Sequence, residues 1–146
     1  MVHICPVHVF IIAGSCVKKE LDDQLCQKFP NLYRDRNKHP VESPMHWGFE
    51  CGDGWFKLIY DLSEELEAEI LKLPESEREN YCASQVKEKY GTLRFYMTKD
   101  TPKMREIIIK YENISAETCE RCGSSGTTRG QDWYVTLCDS CFMQKG

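Results

Sequence analysis

Two stretches of the chain show apolar positions at helical spacing. Between residues 54 and 73, Trp55, Leu58, Ile59, Leu62, Leu66, Ile70 and Leu73 recur at three- and four-residue steps, the mark of a helix with one buried stripe. Glu64, Glu65, Glu67 and Glu69 fall on the opposite side and read as a solvated acidic face, and Pro74 ends the pattern. A second helix is predicted over 101–112, with Pro102 suited to its first turn and Met104, Ile107, Ile108 and Tyr111 as its buried stripe. A shorter helical segment, Leu21 to Phe29, stops at Pro30, and 30–46 reads as an irregular connection.

Between the two long helices the period changes from 3.6 to 2. Residues 84–98 alternate in a way that predicts a β-hairpin turning near Tyr90-Gly91. Val86, Leu93, Phe95 and Met97 are expected on its inner face, and Lys87, Lys89, Arg94 and Tyr96 on its outer one. The fold class is therefore α+β: a short antiparallel sheet packed with two helices.

The C-terminal segment has too few apolar residues for a core of its own but carries Cys119, Cys122, Cys138 and Cys141, spaced C-x2-C-x15-C-x2-C. Paired thiolates at that spacing predict a tetrahedral zinc site, and four sulfurs leave no position for water or substrate, so the metal is expected to be structural. The chain divides into an N-terminal extension (1–20), an α+β core (21–117) and a zinc ribbon (118–146), the last two folding as one domain.

The N-terminal run Val9 to Gly14 imitates a short export signal. It lacks a cationic lead and is too short to span a bilayer, so a buried strand or added segment is the preferred reading. His3, Cys5 and His8 form a weaker candidate for a second metal site. Nine cysteines, an odd number, favour metal binding with free thiols in a reducing compartment, and Cys5, Cys16, Cys26, Cys51 and Cys82 are expected to act as small buried hydrophobes.

A net charge of −4 and a pI near 5.6 weigh against broad nucleic-acid binding, which needs a cationic surface. A local basic plate survives that argument. Lys87, Lys89 and Arg94 on one hairpin face suit phosphate or carboxylate, and Tyr96 beside them suits stacking on a base. The bland alternative is an ordinary solvated sheet face. The block Trp47 to Phe56 is a second candidate. Gly52-Asp53-Gly54 places amides before a helix, where an anion could bind, although Asp53 is also a natural cap for that helix. Trp47 offers a second stacking surface, and the competing role of the aromatics here is core. For catalysis the available pairs are Cys51 with His46 and Glu50 with Asp53, neither carrying a supporting signature.

Two blocks in order, W-G-F-E-C-G-D-G-W-F at 47–56 and Q-V-K-E-K-Y-G-T-L-R-F-Y at 85–96, followed by the cysteine pairs, resemble a family of small, functionally uncharacterised proteins of tailed bacteriophages and prophages. The resemblance covers Leu21 to Cys141, residues 1–20 lying outside the usual pattern. It implies a phage accessory product in the cytoplasm of a bacterial host and supplies no activity. The combined expectation is a non-enzymatic binding protein. It would take an anionic, nucleotide-like ligand, in a counter-defence role, through Lys87, Lys89, Arg94, Tyr96, Trp47, Gly52, Asp53 and Gly54. The alternatives are an inhibitor of a host protein and a zinc-ribbon nucleic-acid regulator, with a nucleotide-acting enzyme further off.

Overall fold

The computed structural model describes residues 16–144. Among these residues, four α-helices and five strands run in the order α1 (Lys19–Lys28), β1 (Phe49–Glu50), α2 (Phe56–Leu71), β2 (Ala83–Lys89), β3 (Thr92–Met97), α3 (Pro102–Ser115), β4 (Thr127–Arg129), β5 (Val135–Leu137) and α4 (Asp139–Met143).

The protein is mixed α/β. A three-stranded sheet in the order β1-β2-β3 carries the core, and β4 and β5 form a separate two-stranded ribbon beside the C-terminal cysteines. The hairpin turns at Tyr90-Gly91 as expected. Both residues have positive φ, 55° and 84°, which is the two-residue turn whose twist matches the flanking strands. The sheet is not purely antiparallel, however. The short β1 pairs in parallel with β2, Phe49 opposite Val86 and Glu50 opposite Lys87. The chain reaches β2 from β1 through α2, so β1, α2 and β2 form a βαβ unit.

Both long helices bury the stripes that their spacing predicts. α2 buries Leu58, Ile59, Leu62, Leu66 and Ile70, and α3 buries Met104, Ile107, Ile108 and Tyr111. α3 starts at Thr101, whose hydroxyl accepts from the Met104 amide at 3.2 Å, and it runs to Ser115 rather than stopping at 112. Its last residue closes onto the sheet, the buried Ser115 hydroxyl accepting from the Leu93 amide at 2.8 Å. The core also contains Phe49, Trp55, Val86, Leu93 and Phe95, with Tyr33 edge-on to Phe49 at 5.0 Å between ring centroids.

The acidic side of α2 is not wholly solvated. Glu67 is buried and accepts from the Leu32 amide at 2.9 Å and the Asn31 side chain at 2.8 Å. A carboxylate here satisfies backbone donors of the 30–46 connection, which would otherwise lie unpaired under the helix. The same connection is fastened by a half-buried bidentate pair, Arg36 on Asp22 of α1, with 2.7 Å between Nη2 and Oδ2.

Asp53 does not cap α2. Its carboxylate accepts from the Lys18 amide at 2.8 Å, and a single 3₁₀ turn, Asp53–Trp55, leads into the helix. Residues 16–20 pack with the body, the Val17 amide bonding to the Phe49 carbonyl at 3.0 Å. Cys26, Cys51 and Cys82 are free, the last two buried. Cys16, expected to be a buried thiol, is half-buried and disulfide-bonded. His3, Cys5, His8 and the Val9 to Gly14 run lie outside the described residues. Among the described residues, no helix is long and apolar enough to cross a membrane.

Candidate metal centre and sheet face

The C-terminal unit has a very small apolar cluster, with Cys119, Leu137 and Cys141 buried and Val135, Cys138 and Phe142 against it. Its order comes from local turns. The Gly123 amide returns to the Cys119 carbonyl at 2.9 Å and the Cys119 amide bonds to the Ser124 carbonyl at 2.7 Å, closing the first knuckle. The second knuckle sits where β5 turns into α4. There Cys138 caps α4 by accepting from the Cys141 amide at 3.4 Å.

These turns bring four Sγ atoms within 4.8 Å of one another, so the cluster could hold a metal ion. Cys122 and Cys138 lie 3.7 Å apart. That is far beyond a disulfide bond and close to the roughly 3.8 Å edge of a tetrahedron with zinc–sulfur bonds of about 2.3 Å. The donor set and spacing therefore fit a structural zinc. Neighbouring donors favour the thiolate at two of the four: the Cys141 amide and the Ser124 hydroxyl hold Cys138 down at about 6, and Ser124 also lowers Cys122, whereas burial pushes Cys141 up to about 12.

The glycine block proves to be the seat on which this unit docks. The Gly54 amide bonds to the Glu120 carbonyl and the Gly52 amide to the Glu120 carboxylate, both at 2.8 Å. The amides expected to be open to an anion are thus occupied from within the chain. A Cβ on Gly54 would stand 2.3 Å from the Cys119 carbonyl oxygen, and one on Gly52 2.5 Å from that of Glu120. Only glycine allows so close a backbone approach. Trp55 spans the seam, its indole N–H donating to the Thr118 carbonyl at 2.8 Å. Burial pushes the Glu120 carboxyl up to about 7, with the Gly52 amide opposing the shift. At the far end of the seam the Thr136 hydroxyl donates to the Gly91 carbonyl at 2.6 Å, pinning the hairpin turn to β5.

The hairpin residues fall as their alternation predicts. Lys87 faces Arg94 directly across β2 and β3, Gln85 faces Tyr96, and Lys89 faces Thr92. Glu88 shares the inner face with Leu93 and caps the turn by accepting from the Gly91 amide at 2.8 Å. The parallel register adds Glu50 to the outer face, so Glu50, Lys87 and Arg94 form one row across three strands. Sequence reasoning missed this row, because a two-residue strand has no period of its own.

Among the described residues, the Lys87 and Arg94 side chains make no hydrogen bond and no close ion pair, and Arg94 Nε is buried without a partner. Lys87 exerts a weaker pull on Glu50 and Glu88. By contrast, Lys19, Arg36, Lys38, Lys57, Lys72, Arg105, Lys110 and Arg129 all make ion pairs. Lys89 is exposed and lies over the Tyr90 ring, and Tyr96 is 43% exposed. Trp47, just before β1, is half-buried with its ring edge-on to His46.

The catalytic candidates are poorly placed for chemistry. Cys51 is fully buried, which pushes its thiol well up, away from the reactive thiolate. His46 uses Nδ1 on the Lys38 carbonyl at 2.8 Å. Glu50 lies on the sheet face, whereas Asp53 is committed to Lys18. A separate cleft of about 510 Å³ lies beside the metal unit, bordered by Phe56, Lys57, Asp61, Ile114, Thr118 and Cys122. Its one lysine is already tied to Asp61 at 2.7 Å.

The fold and site together define a small mixed α/β protein with a C-terminal tetracysteine cluster able to hold a metal. No protein-family model, no curated protein and no solved structure matches the chain.

Proposed function

We propose that the protein acts by binding rather than turnover, holding an anionic, nucleotide-like ligand on the outer face of its three-stranded sheet. The observation that supports this is the cross-strand pair Lys87 and Arg94. Two like charges placed directly opposite destabilise a sheet, and here Arg94 has no close partner among the described residues while Lys87 is balanced only by the Coulombic pull of Glu50 and Glu88. An incoming phosphate would relieve that repulsion and take the planar fork of Arg94. Lys87 and Lys89 add charge, and Tyr96 offers a ring to a base. In this reading the cysteine cluster holds structural zinc, the C-terminal unit is a zinc ribbon, and the metal takes no part in ligand chemistry. The motif resemblance makes the setting a phage accessory role in the bacterial cytoplasm, with counter-defence as the use.

Titration calorimetry of the zinc-loaded protein with inorganic phosphate and with nucleoside monophosphates tests the proposal. Saturable binding that weakens at least about tenfold in Arg94→Ala, the scale expected for a lost charged hydrogen bond, supports it. Absence of binding at millimolar ligand overturns it.

Exposed aromatics at the hairpin turn and in the C-terminal unit favour a second reading, capture of a host protein. Tyr90, Trp133 and Tyr134 are 65%, 63% and 41% exposed, and such residues dominate interface energetics. A partner retained from infected lysate by the wild type and lost from Trp133→Ala would favour that reading.

A further inference from the structure

The outer face has a second unusual feature, and it is acidic. Glu50 occupies the β1 end of the Glu50–Lys87–Arg94 row, and its Oε1 is buried with no hydrogen-bond partner among the described residues. Buried polar atoms are nearly always paired, so an orphan acceptor calls for a missing donor. A simple phosphate site has no use for it. A carboxylate beside the cations repels phosphate, and burial costs the carboxylate itself, with Gln85 and Lys87 offsetting part of the penalty.

The row therefore carries opposite chemistries at its two ends, both enclosed and, among the described residues, without a partner: the donor Arg94 Nε on β3 and the acceptor Glu50 Oε1 on β1, which a ligand would meet once the side chains turn outward. Two strand spacings separate them, about 10 Å between backbones, comparable to the span from a nucleotide's phosphate to the far edge of its base. Tyr96 and Gln85 form the neighbouring row, where a base could stack. Resting on the anion-binding reading above, we propose that Glu50 selects the base. The site takes a guanine nucleotide, with phosphate at Arg94 and Lys87 and the carboxylate of Glu50 accepting from the base.

Complementarity of hydrogen bonding is the reason for guanine. Its Watson–Crick edge offers two adjacent N–H donors, N1–H and the 2-amino group, which a carboxylate receives together. Adenine turns a bare ring nitrogen, an acceptor, toward the same group. A buried acceptor left facing another acceptor is penalised strongly, which is why polar sites discriminate better than apolar ones. Inosine keeps N1–H but lacks the 2-amino donor, so it should fall between the two.

The test is calorimetric titration of zinc-loaded wild type, Glu50→Gln and Arg94→Ala with GMP, IMP, AMP and inorganic phosphate. Wild type is expected to bind GMP on the order of tenfold or more tighter than AMP, the scale of one bidentate base contact, with IMP between. Glu50→Gln should erase that preference while binding inorganic phosphate at least as well as wild type, and Arg94→Ala should weaken all four. Equal wild-type affinity for GMP and AMP overturns the role of Glu50. So does a Glu50→Gln variant that tightens every ligand equally, because the residue is then only a neutraliser of Lys87. In both cases phosphate binding, and with it the anion reading, still stands. No binding of any of the four ligands by wild type sinks both readings. Should the Gln variant fail to fold, the order GMP, IMP, AMP on wild type decides alone.

Discussion

The body and the C-terminal unit of this protein are held together by different physics. The body buries more than twenty side chains in one cluster, from Val17 to Tyr111, including the fully enclosed Phe49, Trp55, Leu62 and Met104. Apolar burial of that extent stabilises a fold without outside help. Among the described residues, the C-terminal unit buries three hydrophobic side chains, two of them cysteines of the candidate metal cluster, and one polar one, Thr136. Its strands are three residues each and its helix five. A unit of that size cannot offset the entropy of ordering its backbone from apolar contacts alone. The contrast assigns stability of the first region to side-chain packing and, in the proposed reading, that of the second to the metal its four cysteines could hold. The seam between them is polar and glycine-lined, so it transmits position more than cohesion.

The largest effect should come from removing a ligand. Cys119→Ala is expected to abolish stoichiometric zinc binding and unfold the C-terminal unit, because binding energies of about 10–16 kcal/mol at such sites act as folding energy. Metal analysis with circular dichroism checks this, and the helical signal of α2 and α3 should persist. Trp55→Ala attacks the comparison from the other side. It leaves a large cavity in the body and removes the bond to Thr118, with an expected loss of about 3–5 kcal/mol in denaturant unfolding. Zinc stoichiometry should remain at one.

Gly54→Ala probes the seam itself. Its Cβ collides with the Cys119 carbonyl, so an overpacking cost of about 1–3 kcal/mol is expected. Amide exchange should accelerate first in the knuckle around Cys119. The smallest effect belongs to the sheet face. Arg94→Ala removes one of two like charges and no hydrogen bond, so stability should move by no more than about 0.5 kcal/mol while phosphate binding is lost. A large loss of stability would mean that Arg94 serves the fold.

These regions also differed in how far their sequence revealed them. The buried stripes of α2 and α3 and the alternation of the hairpin are local patterns of sufficient length, and the packing follows them residue by residue. The cysteine pairs were legible because metal geometry constrains their spacing. The strand β1 was not, since two residues carry no period and its partner lies across α2 in the chain. Glycines 52 and 54 could be recognised as special positions, but nothing local says that Glu120 would occupy their amides. Glu67 looked like one more solvated acid because its partners, Asn31 and Leu32, are also remote in sequence. Long-range pairing is what these misses share.

The most direct test of the division between packing and metal is hydrogen exchange, read segment by segment, on zinc-loaded protein before and after chelation. Residues 118–144 should lose protection while α2, β2, β3 and α3 keep theirs. Equal loss of protection throughout the chain, or none in the C-terminal unit, would contradict the account.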